Sequence, residues 1–198
     1  MAKLHFRYGT TGSGKSLDLL KVAYNYEENG MTTLIFTSKI DHRYGHDIVK
    51  SRTGVHKDAI GIDSKDNIYD IIDYKRGVMG KTINCVLVDE VQFFTPEHIH
   101  QLTEIVDKLG IPVICYGLRA DYKNDIFKAS SVLMAIADEL EEMKTICSHC
   151  GKKKATVSVK MIDGIVQSKG KQIEIGGNEL YKPMCRTCYK SLMNYQLH

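Results

Sequence analysis

Three groups of residues in the 198-residue chain have the types and spacing to do chemistry. The first is Gly9-Thr10-Thr11-Gly12-Ser13-Gly14-Lys15-Ser16, which fits G-x-x-x-x-G-K-[ST]. Glycines there let successive backbone N–H groups turn toward phosphate oxygens, and a helix starting in the loop adds its partial positive charge. Lys15 would neutralise the β- and γ-phosphates, and the Ser16 hydroxyl would ligate Mg²⁺. The second group is Asp89-Glu90, closing the apolar run "INCVLVDE". Downstream of a phosphate loop, a carboxylate at a strand end orients Mg²⁺. A Glu one residue on is placed to act as a general base. The third group is Cys147-x₂-Cys150 and Cys185-x₂-Cys188. Four thiolates in two such knuckles suit tetrahedral Zn²⁺ in a closed, structural site. Cys85 and Cys115 lie inside apolar runs and read as small buried residues.

The loop and the two carboxylates serve only the donor side of a phosphoryl transfer. Glu90 would deprotonate water in an ATPase and an acceptor hydroxyl in a kinase, and these motifs do not separate the two. A zinc-ribbon module that binds nucleic acid through "GKKKA" (151–155) is a further reading, which predicts strongly salt-dependent affinity. The net charge of +3 argues against it, and a run of three lysines is more often a solvated face.

These groups need elements to hold them. Residues 3–8 read as a strand, followed by the Gly-rich loop and a helix from about Lys15 to Glu28 with an apolar side. Strands are expected at 32–37, 59–62, 83–90 and 112–118, with helices near 66–76, 95–110 and 130–137. Thr95 as N-cap, Pro96 at the first helical position and Gly110 at the end bound the long helix. Residues 38–58 have no strong period and read as loop. Apolar strands alternating with helices indicate a parallel sheet covered on both faces. That pattern stops at Cys147, where Gly and Lys become frequent and short β-like pieces appear, "ATVSVKM" and "QIEI". Two domains are expected: 1–146 for the nucleotide and 147–198 for the metal. The excursion 151–184, clamped at both ends by the cysteines, carries Gly164, Gly170, Gly176 and Gly177, which allow close approach of backbone to a ligand. The chain contains no run of 18 apolar residues, and "MAKLHFRYGT" lacks the apolar segment of a secretory signal, so a cytoplasmic protein with no membrane partner is expected.

Taken in order, "YGTTGSGKS", "DHRYG", "CVLVDEVQFF", "PVICYGLRADY", "KTICSHC", "IEIGGNELY" and "CRTCYK" resemble the type II thymidine kinases over nearly the whole chain. The resemblance implies a P-loop, RecA-like α/β fold with a small zinc-ribbon and lasso domain. It implies Mg²⁺-dependent transfer of the ATP γ-phosphoryl group to the thymidine 5′-hydroxyl, with Glu90 taking the proton. Phe93, Leu118, Tyr122 and Phe127 would line the thymine pocket. The 151–184 lasso would close over the nucleoside, with main chain near Gly176 bonding the base edge and Tyr181 packing on it. Arg43 in "DHRY" would lie near the phosphates. A homotetramer with thymidine triphosphate (dTTP) as feedback inhibitor belongs to the same set of implications, while the modest net charge leads us to expect no nucleic-acid partner. Thr11 stands where many members carry Met, Tyr122 where many carry Phe, and Cys188 where many carry His.

Overall fold

The computed structural model describes residues 1–41, 45, 47–80, 82–173 and 180–195. Strand β1 (Leu4–Tyr8) leads into the phosphate loop, and helix α1 (Lys15–Glu28) starts within it. There follow β2 (Thr32–Ser38), β3 (Ile48–Lys50), β4 (His56–Asp58), β5 (Ile60–Ile62) and α2 (Ile68–Met79). Next come β6 (Ile83–Val88), a 3₁₀ turn (Val91–Phe93), α3 (Pro96–Leu109), β7 (Val113–Gly117), α4 (Lys128–Ile136) and β8 (Glu139–Glu142).

Six of these strands form one sheet in the order β5-β2-β6-β7-β1-β8, and every neighbouring pair is parallel. Strand β7 separates the loop-bearing β1 from the carboxylate-bearing β6, the RecA-like arrangement within the expected α/β class. Side chains alternate between faces with the period of two that a strand imposes. From Cys85 to Val88 on β6, Val86 and Val88 join a core with α2, α3 and α4, while Cys85 and Leu87 join a second core under α1. Continuous apolar strands are what a sheet buried on both faces requires. Burial pushes the Cys85 thiol up to about 11, as expected of an inert core cysteine.

Helix α3 begins and ends where its sequence signals place it. The Thr95 hydroxyl accepts from the His98 N–H, the His98 ring accepts from the Thr95 N–H, and Gly110 closes the helix at φ +66°. The expected loop over 38–58 is instead interrupted by the antiparallel β3–β4 hairpin. Strands of three residues are too short to show a period, and Val49 is the one hairpin residue among the buried core residues. Strand β8 is acidic, "ELEE", and takes an edge position because β1 offers it cations: Lys3 bonds Glu139, and the Arg7 guanidinium lies 2.9 Å from Glu141.

The C-terminal part builds a separate small sheet in the order β10 (Ile165–Val166), β9 (Val157–Ile162), β11 (Tyr181–Met184), all antiparallel, followed by α5 (Arg186–Tyr195). Its own core collects Val159, Val166 and Met184 around Cys147 and Cys185. Of the β-like "QIEI", Gln172 and Ile173 lie in no strand and the remainder lies outside the described residues. Among the described residues no helix is long and apolar enough to cross a membrane.

Candidate functional site

A cleft of about 290 Å³ opens at the C-terminal edge of the parallel sheet, where α/β folds gather their ligands. The phosphate loop forms its floor. Gly12 and Gly14 adopt φ +74° and +82°, which a side chain would strain. Lys15 is buried, its ammonium donating to the Thr10 carbonyl at 2.8 Å. The tip of β6 supplies Asp89, which the Ser16 hydroxyl bonds. Burial pushes the Asp89 carboxyl up to about 7 and the Glu90 charge adds to this, against Ser16, the Glu90 N–H and Lys15.

Glu90 sits at φ +50°, a left-handed conformation uncommon outside glycine, as the chain turns from strand to 3₁₀ turn. Its side chain accepts a hydrogen bond from the Gln92 amide, whose oxygen accepts from the Leu118 N–H at 2.9 Å. Gln92 is buried and ties the tip of β6 to the end of β7. Gly117 makes room for this: a Cβ there would lie 2.7 Å from the Gln92 oxygen and 2.8 Å from Val91.

Phe93 and Phe127 meet edge to face, centroids 6.2 Å apart, on one wall of the cleft with Leu118. Tyr122 and Tyr181 lie 6.3 Å apart on another. The buried Tyr122 hydroxyl is 3.1 Å from the carbonyls of both Lys169 and Lys171. Its single proton serves one of them at a time. The Lys160 ammonium lies 5.3 Å from the Tyr122 ring centroid, within cation–π range. The Thr11 N–H donates to the Ser158 hydroxyl on β9 at 2.9 Å, so the small sheet touches the phosphate loop directly.

The structure thus gathers the loop, Ser16, Asp89, Glu90, Phe93, Leu118, Tyr122, Phe127 and Tyr181 around one space. Gly176 and Arg43 lie outside the described residues. Sequence reasoning missed Gln92, although a polar residue two positions after Glu90 in an otherwise apolar turn was a visible signal. Ser158 and Arg52 also line the cleft and carry no local signal.

The sulfurs of Cys147, Cys150, Cys185 and Cys188 all lie within 4.8 Å of one another. Tetrahedral Zn²⁺ with Zn–S bonds of about 2.3 Å needs sulfurs about 3.8 Å apart, so the donor set fits. Burial works against a Cys147 thiolate, yet the N–H groups of Cys150, Cys185 and His149 hold its thiol down to about 6. Such N–H groups suit a metal-bound thiolate equally well.

A family profile described as "Thymidine kinase" matches residues 2–189. The chain is similar to the "Thymidine kinase" of Lactococcus lactis, 44% identical over 189 residues that cover 96% of this chain and 97% of the relative. It is similar to that of Listeria monocytogenes, 49% identical over 96% of this chain and 97% of the relative. For that of Francisella tularensis the identity is 47%, over 96% and 98% of the two chains.

Proposed function

The chain belongs to the thymidine kinase family, and from that premise we propose that it transfers the γ-phosphoryl group of ATP to the 5′-hydroxyl of thymidine, giving dTMP and ADP. The observation that carries this reading is the convergence of the phosphate loop, Glu90 and the aromatic walls on one cleft. Gly9 to Ser16 would hold the donor phosphates, with Lys15 exchanging its loop carbonyls for phosphate oxygens. Ser16 and Asp89 are the residues that would hold Mg²⁺. When bound, that ion would offset the negative charge of the phosphates. Glu90 takes the proton of the 5′-hydroxyl as the oxygen bonds to the γ-phosphorus and the bond to ADP breaks.

Phe93, Leu118 and Phe127 offer thymine a flat apolar slot, which Tyr122 and Tyr181 extend toward the lasso. Enclosure by 151–184 would keep water from competing for the phosphoryl group. Cys147, Cys150, Cys185 and Cys188 would hold a structural Zn²⁺, tying the two ends of that segment together. The same family reading implies action in the cytoplasm as a homotetramer and inhibition by dTTP.

The test is ADP formation from Mg-ATP with no nucleoside, with thymidine, and with each other deoxynucleoside in turn. Turnover that requires thymidine supports the reading. Equal ADP release without any nucleoside would make the chain an ATPase.

A further inference from the structure

The β3–β4 hairpin, which sequence patterning leaves as loop, delivers a cation to the phosphate loop. Its tip is a built turn. The Ser51 N–H donates to the Val55 carbonyl at 2.8 Å, the Gly54 N–H donates to the Ser51 carbonyl, and Gly54 takes φ +91°. The buried Ser51 hydroxyl donates to the same Val55 carbonyl and lies 2.8 Å from the Thr53 hydroxyl. Val49, in the core under α1, anchors the strand behind it. A turn fixed in this way presents Arg52 in a defined direction.

That direction is over the loop. Arg52 Nη2 donates to the Thr11 hydroxyl at 3.2 Å. A Cβ built on Gly12 would lie 3.2 Å from Nη1, so the guanidinium rests against the backbone of the G-x-x-x-x-G-K-S segment. Arg52 lines the same cleft as Lys15, Ser16, Asp89 and Glu90.

We propose that Arg52 contacts the terminal phosphate of the bound triphosphate and stabilises charge on the phosphoryl group during transfer, acting as an arginine supplied from within the chain. This rests on the phosphate-loop reading above. Bonds from a guanidinium to phosphate are charge-assisted and about twice as strong as bonds to a neutral group. The planar fork engages two oxygens at once, which the point charge of Lys15 does not. The bond to Thr11 places the guanidinium beside the loop, in the cleft that the phosphates would enter. The hairpin is the lever that brings it there.

The test compares wild type with Arg52→Ala and Arg52→Lys. Calorimetry reads the affinities for ADP and for a non-hydrolysable Mg-ATP analogue, and steady-state kinetics reads kcat. The expected result for Arg52→Ala is an affinity for the ATP analogue lower by about tenfold or more, with ADP affinity and Tm nearly unchanged. The accompanying kcat should fall by ~10²–10³, in the range of other lost transition-state donors. Arg52→Lys should recover little of the kcat, because the fork is lost. Unchanged analogue affinity and kcat would overturn the proposal. Equal weakening of ADP and analogue with a lowered Tm would also overturn it, leaving Arg52 as a tether of hairpin to loop. The binding arm does not depend on the acceptor: a wild type inert toward thymidine, with the ATP–ADP difference still set by Arg52, would sink the kinase reading and keep this one.

Discussion

Glu90 combines an unusual backbone with a specific partner. Its φ is +50°, and Gln92 fixes the carboxylate by bonding one oxygen. Strain of this kind persists only where the surroundings over-determine it. Glu90→Gln should lower kcat by ~10²–10⁴, the range of a lost general base, while ATP affinity measured by calorimetry stays the same. Parallel loss of both would remove Glu90 from proton transfer. The identities at this scale were legible in the letters, because the loop motif and the Asp-Glu pair carry fixed chemistry. What held them was not: Gln92 acts through a neighbour on β7 that is distant in sequence, and Gly117 matters only because the 3₁₀ turn passes within 3 Å of where its Cβ would be.

Between elements, two polar connections do most of the positioning. Tyr122, midway along the β7–α4 connection, reaches the carbonyls of Lys169 and Lys171 in the lasso, where a phenylalanine would reach neither. Losing that hydroxyl costs about 1 kcal/mol by the usual worth of one hydrogen bond. Tyr122→Phe should therefore raise the thymidine KM about fivefold, leave the ATP KM unchanged, and speed amide exchange over 167–173. Unaltered exchange and KM would show that the hydroxyl fastens nothing.

Under the sheet, Asp18 on α1 accepts from Arg7 of β1 at 2.6 Å and from Tyr116 of β7 at 3.1 Å. Burial would raise the Asp18 carboxyl, but bonds from Lys21 and Tyr116 and the Arg7 charge hold it below its ordinary value. A depressed carboxyl contributes stability above the unfolded value of about 4, and loses it as pH falls through the folded value. Asp18→Asn should cost about 2 kcal/mol at pH 7, a Tm drop of ~4–8 °C, and the difference from wild type should shrink below about pH 4. A gap in Tm that is independent of pH would contradict this. The α/β alternation and the α3 caps were legible because their signals are local. The β3–β4 hairpin and the acidic β8 were not, since three-residue strands show no period and β8 is stabilised by cations on β1.

On the scale of the whole molecule, the small core meets the phosphate loop through the Thr11 N–H and the Ser158 hydroxyl, and the β7–α4 connection through Tyr122. The four cysteines belong to the smaller core, so a metal bound there would set the position of β9 and, through Ser158, that of the phosphate loop. Metal binding and folding are linked in such units. Chelation should speed amide exchange in β9 and β11 and weaken ATP binding, while β6 and β7 keep their protection. Unchanged exchange in β9 would separate the cysteines from the stability of that sheet. The cysteine spacing announced the cluster, but nothing in the sequence placed Ser158 against the loop, because β9 is brought there by packing alone. Phosphorus NMR of a reaction holding Mg-ATP and thymidine reads the identity of the acceptor directly. A thymidine kinase yields one dTMP for each ADP, with no inorganic phosphate. Inorganic phosphate in place of dTMP would contradict the kinase reading.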